Sequence, residues 1–277
     1  MTGNYQLSSK PRACHGRQDG ESGTGRFGLG RTLYVKILRS GGTGGGAGGG
    51  TSGSPRYDVF SVEREENMNV LDVVAKIQGT QDPTLAFRYS CRAGMCGTCS
   101  MRVNGRNRWT CRTSVDRLGG DTLVLEPLPH YPVIRDLAVD LKPFVESFRK
   151  VRPEFVPADP GRKDFAVIPP RSTERREIDQ HVQCITCGNC YGECSLVETN
   201  KDYVGPAALN RAYALIVDSR DGARADRLER INGHGGVWGC HTQFNCTEVC
   251  PMGISPTRAI QKLKRKEVLH ALTAPLR

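Results

Sequence analysis

A chain of 277 residues has room for one large domain or two ordinary ones with separate cores. Its formal charge of +10 points to an acidic partner, an anionic surface or a negatively charged cofactor, without choosing among them. Twelve cysteines would suit a disulfide-stapled secreted domain, but MTGNYQLSSKPRACHG lacks the apolar core of a signal peptide. The cysteines therefore read as metal sites in a reducing compartment, and no run approaches the roughly 18 apolar residues of a membrane span.

Residues 1–30 are polar, basic and Gly/Ser-rich, which reads as a disordered extension or a start site placed too early, and Cys14 stands alone there. RTLYVKILRS (31–40) and RYDVFSVERE (56–65) alternate as strands of a hairpin whose tip is the Gly-rich loop 41–55. In 69–78, Val70, Val73, Val74 and Ile77 share one helical face. SMRVNGRNRW (100–109) predicts two strand fragments about an Asn-Gly turn, and 122–128 a further strand. Beyond Pro129 the pattern turns helical. The spacing predicts helices over 133–151, interrupted at Pro143, over 204–221 with Pro206 near its start, and over 255–272 with Ser255 as N-cap. The expectation is an α+β chain with a small mixed-sheet domain at 31–132 and an all-helical domain at 133–277.

Cys91, Cys96, Cys99 and Cys111 are spaced C-x4-C-x2-C-x11-C. Plant-type [2Fe-2S] ferredoxins use C-x4-C-x2-C with a distant fourth cysteine. Three thiolates on one tight loop wrap the cluster, and the fourth closes the cage from a separate strand. Gly94 and Gly97 suit such a loop, since glycine permits positive φ and close backbone approach, and Arg92 offsets negative charge. Four thiolates also satisfy zinc, although zinc sites usually pair two short cysteine hairpins.

CITCGNCYGEC supplies Cys184, Cys187, Cys190 and Cys194 as C-x2-C-x2-C-x3-C, and CHTQFNCTEVCP supplies Cys240, Cys246 and Cys250 with Gln243 at the second cysteine position. In two-cluster ferredoxins the fourth cysteine of each run ligates the other cluster. Crossing the runs gives Cys184, Cys187, Cys190 and Cys250 to a [4Fe-4S] cluster. It leaves Cys194, Cys240 and Cys246 for a second cluster with one corner open. Glutamine is a poor ligand for soft metal sites, so the expected species there is [3Fe-4S]. Seven thiolates divided four and three do not fit closed tetrahedral zinc sites.

Eleven cysteines in three ordered groups, together with SPTRAI at 255–260, resemble the iron-sulfur subunits of succinate dehydrogenase and fumarate reductase, the succinate:quinone oxidoreductases. The likeness runs from about residue 31 to about 268. It implies a plant-type ferredoxin-like (β-grasp) domain followed by a bacterial-ferredoxin-like helical domain. It also implies an electron-transfer subunit that passes electrons from an FAD flavoprotein through [2Fe-2S], [4Fe-4S] and [3Fe-4S] clusters to quinone. The flavin chemistry would reside on the partner, leaving no catalytic residue on this chain. The implied partners are that flavoprotein and transmembrane anchor subunits, with haem a further group that the partners would hold. The implied location is the cytoplasmic face of a bacterial membrane. The resemblance places His241, Gln243 and Ser195 near the quinone; Ser195 stands where the family has proline, and the tryptophan of quinone-reducing relatives just beyond it is missing. IQKLKRKEV (260–268) concentrates basic residues as a solvated helix face or a contact for anionic lipid. The competing readings are fumarate reduction, the same clusters serving another flavin dehydrogenase, and a zinc-rich nucleic-acid-binding protein.

Overall fold

The computed structural model describes residues 31–40 and 54–273; the extension with Cys14, residues 41–53 of the Gly-rich loop and the last four residues lie outside the described residues. Strands β1 (Thr32–Arg39) and β2 (Arg56–Glu63) pair antiparallel along their whole length, as the alternation predicts. Helix α1 (Val70–Thr80) starts at Asn69, whose side chain accepts the Asp72 N–H while Asp72 accepts the Asn69 N–H. This reciprocal cap satisfies two orphan donors of the first turn. Strands β3 (Ser100–Val103) and β4 (Arg106–Trp109) meet at Asn104-Gly105, both with positive φ, as a two-residue hairpin requires. After the short helix α2 (Val115–Leu118), β5 (Thr122–Glu126) runs parallel to β1, giving the sheet order β2-β1-β5-β3-β4. Leu33, Val35, Ile37, Leu123 and Leu125 pack one face of the sheet against Val70, Val73, Val74 and Ile77.

The stretch 133–151 departs from the predicted interrupted helix. Val133–Arg135 (β6) and Ala138–Val139 (β7) form a two-stranded ribbon, and only Lys142–Lys150 (α3) is helical, with Pro143 in its first turn rather than in the middle. Tertiary bonds override the helical period. Asp136 sits at φ +47, accepts the Ala86 N–H at 3.0 Å, and pairs with the buried Arg39 at 3.1 Å. Proline fits a first turn because that turn's N–H groups lack partners in any case. Leu137 packs into the sheet core and Val139 into the helical core, so the chain passes from one to the other across this ribbon.

The second domain contains α4 (Thr173–Asp179), α5 (Asn189–Gly192), α6 (Leu196–Thr199), α7 (Gly205–Ile216), α8 (Arg224–Ile231), α9 (Asn245–Glu248) and α10 (Pro256–Thr273). Helix α7 is its axis, buried nearly all round and packed against α10, α8 and α3. It ends at Ile216, earlier than its periodicity predicts, because Asp218 and Asp221 organise a turn there. The fold is thus α+β, a ferredoxin-like sheet domain followed by a helical one.

Candidate iron-sulfur centres

Hairpin β3–β4 brings the ends of the first cysteine group together. Cys99 precedes β3, Cys111 lies in a 3-10 turn after β4, and the Thr110 hydroxyl donates to the Cys99 carbonyl at 2.8 Å. On the loop, the N–H groups of Ala93, Met95 and Cys96 donate to the Cys91 sulfur at 3.4, 3.3 and 3.3 Å. Those donors hold the Cys91 thiol down at about 6, while burial and the neighbouring Cys99 push Cys111 up to about 12. Gly94 and Gly97 both have positive φ; a Cβ on Gly94 would meet Arg112 Cγ at 3.0 Å and Trp109 at 3.2 Å. Arg92 lies over the Tyr89 ring, 4.7 Å from its centroid.

In the second domain, one cavity is lined by Cys184, Cys187, Cys190 and Cys250. Another is lined by Cys194, Cys240 and Cys246, with Thr242 and Gln243 on its wall. The structure therefore brings together the same four and the same three that crossing the runs assembles. Burial pushes Cys187 up to about 12 and Cys194 to about 11, and raises Cys190 well above the ordinary thiol value with help from its neighbouring thiols. Metal binding at these positions must release protons, coupling loading to folding. Among the described residues no three His, Cys, Asp or Glu side chains converge as a single ion would require. Soft thiols ringing a cavity are a donor set suited to a multi-iron core.

The two runs are built alike. Thr186 and Gly188 have φ of +52 and +79 beside Cys187, and Thr242 and Phe244 have +61 and +65 beside Gln243. Each loop then enters a four-residue helix through an asparagine, α5 at Asn189 and α9 at Asn245. Gln243 thus holds the local backbone position of Cys187, and its Oε1 accepts the Ser195 hydroxyl at 3.1 Å.

A family model described as a 2Fe-2S iron-sulfur cluster binding domain matches residues 48–146, and one described as a 4Fe-4S dicluster domain matches residues 180–254. The chain is 38% identical over 222 residues to the succinate dehydrogenase iron-sulfur subunit of Paracoccus denitrificans, covering 79% of this chain and 84% of that one. The chain belongs to the succinate dehydrogenase iron-sulfur subunit family. The mitochondrial succinate dehydrogenase (ubiquinone) iron-sulfur subunit 1 of Oryza sativa subsp. japonica is also 38% identical, over 204 residues, 72% of this chain and 71% of that one. A chain of the solved Mycobacterium smegmatis Sdh1 complex in the apo form superposes with a TM-score of 0.76 at 27% identity, covering 89% of this chain and all of that one. As a member of this family the chain is an electron-transfer subunit with a [2Fe-2S] and a [4Fe-4S] domain, the role that the family resemblance implied.

Several residues around the centres carry no local sequence signal. Tyr203, 2% exposed, lines the three-cysteine cavity; burial raises its hydroxyl's pKa, as do the thiols of Cys240, Cys194 and Cys246. The Tyr131 hydroxyl donates to the Gly188 carbonyl at 3.0 Å, and Asn107 donates to the Asn189 carbonyl at 3.1 Å, tying the sheet domain to the four-cysteine loop. Ile185 and Met252 pack against the cluster of Leu71, Cys99, Trp109 and Cys111 across the same boundary. Ser195, His241 and Gln243 are all exposed; Gln243 lines the three-cysteine cavity with an exposed Phe244, whereas Ser195 and His241 are not among its lining residues. The basic stretch of α10 is partly committed internally: Lys262 pairs with Glu177 at 2.5 Å, and Lys264 donates to the Cys240 carbonyl at 2.8 Å. Among the described residues no helix is long and apolar enough to cross a membrane.

Proposed function

We propose that this chain is the cluster-bearing subunit of a membrane-associated succinate:quinone oxidoreductase. Its ligands are Cys91, Cys96, Cys99 and Cys111 for [2Fe-2S], Cys184, Cys187, Cys190 and Cys250 for [4Fe-4S], and Cys194, Cys240 and Cys246 for [3Fe-4S]. The observation that carries the reading is the partition of seven cysteines into cavities of four and three, with Gln243 in the register of Cys187. Bound there, the clusters would carry single electrons from the flavoprotein side to the quinone side. The protein's own work is to supply thiolates, hold the cluster loops in contact and set the polarity around each. FAD belongs to the flavoprotein partner. Ser195, His241 and Gln243 face quinone at a transmembrane anchor, where any haem would lie, with the complex on the cytoplasmic face of a bacterial membrane.

Purification without air should give a brown protein with about nine irons per chain, two, four and three from the three clusters. The air-oxidised form should show the paramagnetic signal of [3Fe-4S]. Gln243→Cys supplies the missing thiolate, so the iron count should rise to about ten and that signal should be lost. A signal untouched by Gln243→Cys would put the open corner elsewhere, and zinc in place of iron would sink the reading. Co-purification of a flavin-bearing chain and a helical anchor tests the partners.

A further inference from the structure

The three-cysteine cavity has a polar connection that ligand assignment does not use. Thr257, in the first turn of α10 and 2% exposed, has its Oγ1 3.4 Å from the Cys246 sulfur. Thr247 Oγ1 donates to Thr257 Oγ1 at 2.9 Å and lies 3.4 Å from Ser255 Oγ. Ser255 Oγ in turn accepts the Arg258 N–H at 3.3 Å, as the N-cap predicted for this helix.

Counting protons fixes the direction of this chain. A cysteine bound to iron is a thiolate with no proton to give, so Thr257 must donate to Cys246. Its single proton is then used, and it accepts from Thr247. The Thr247 proton is used in turn, so Ser255 donates to Thr247 and is left accepting from the Arg258 amide. Three hydroxyl dipoles line up toward one sulfur, each polarising the next. At the equivalent corner of the other cavity, near Cys190, the Tyr131 hydroxyl is committed to the Gly188 carbonyl.

We propose that Ser255, Thr247 and Thr257 form a directed hydroxyl relay that ends on the Cys246 sulfur and raises the reduction potential of the cluster held by Cys194, Cys240 and Cys246. The inference rests on the [3Fe-4S] reading above. No bond breaks and no proton is transferred. Reduction by one electron adds negative charge to the cluster and its sulfurs, and hydrogen bonds to a more negative acceptor are stronger, so the relay favours the reduced state. These three are positioning residues, acting through Cys246.

The test is a redox titration of the [3Fe-4S] paramagnetic signal in the assembled, cluster-loaded complex carrying Thr257→Val, Thr257→Ser or Thr247→Val. At the potential where the unsubstituted complex is half reduced, Thr257→Val should lower the reduced-to-oxidised ratio about three- to tenfold, the upper figure being about 59 mV for one electron. Thr257→Ser, which keeps the hydroxyl, should return the ratio to within about twofold. Thr247→Val should shift it the same way by less, since only polarisation of the last bond is lost. An intact signal with an unchanged ratio in Thr257→Val overturns the relay. Should that variant not assemble, an unchanged ratio in Thr247→Val, at a half-buried site, overturns it equally. Absence of the signal from the otherwise loaded, unsubstituted complex would sink the [3Fe-4S] reading instead.

Discussion

Gly97 and Cys187, on the cysteine loops of different domains, are in direct backbone contact: a Cβ on Gly97 would stand 2.4 Å from Cys187 Cβ and 2.6 Å from its Cα. The first loop therefore reaches the second only because position 97 has no side chain. Gly97→Ala must push the loops apart, besides straining a φ of +69. Gly105 separates these effects, for its φ is +77 and nothing lies within 4 Å of its added Cβ. We expect Gly105→Ala to cost about 1 kcal/mol, with electron transfer intact. Gly97→Ala should cost about 2–4 kcal/mol and slow transfer between the two centres, seen as delayed reduction of the second in rapid-mixing spectra. Equal behaviour of the two variants would show that the contact is incidental.

The cysteine runs were legible because ligand spacing is local and the crossing rule needs only their order. The hairpin β1–β2 was legible because a half-buried strand alternates. Glycine at 97 was legible as a tight, positive-φ position, but not the partner it approaches, since Cys187 is remote in sequence and meets it only through docking of the domains. The ribbon at 133–139 was misread because its apolar spacing suits a helix, while its bonds go to Ala86 and Arg39, which no window around it contains. Tyr203, Thr247 and Thr257 are ordinary hydroxyl residues until the fold brings them to the sulfurs.

Phe244 takes the backbone position that Gly188 takes in the first run, at φ +65, and the residue is 52% exposed. A left-handed conformation costs a non-glycine residue about 1–2 kcal/mol, so an exposed aromatic held there, lining the three-cysteine cavity with Gln243, fits a contact surface better than a folding element. Phe244→Gly should leave melting temperature unchanged or raise it slightly. Quinone reduction by the assembled complex should fall several-fold while reduction of the clusters by succinate persists. A parallel loss of stability and activity would make the ring structural.

Arg227 and Asp221 form an ion pair with both side chains fully buried. Arg227 also donates to the carbonyls of Arg152 at 3.0 Å and Glu154 at 2.5 Å, and Asp221 accepts the Val156 N–H at 3.0 Å, so the pair fastens the segment leaving α3 to helix α8. Removing one partner strands a buried charge. Arg227→Met and Asp221→Asn should each cost about 3–5 kcal/mol, and the double variant clearly less than their sum. Melting temperatures of the four combinations measure the coupling. Simple additivity would mean that the charges are independently solvated.

Glu267 in α10 is 3% exposed, its Oε1 has no partner, and burial pushes its carboxyl up to about 7. In an unfolded chain the same group titrates near 4.3. Between these values the folded protein holds a proton that the unfolded chain has shed. This group's contribution is therefore fully present below the unfolded value, declines as pH rises from there to the folded value, and is lost above about 7. At about 1.4 kcal/mol per pH unit the loss is at most about 4 kcal/mol. Glu267→Gln keeps the shape and removes the charge. Its melting temperature should match that of the unsubstituted protein at about pH 4 and exceed it at pH 8, with the difference opening between the unfolded value near 4.3 and about 7. A difference that is the same at every pH would mean that the carboxyl does not titrate in this range and that packing alone separates the two.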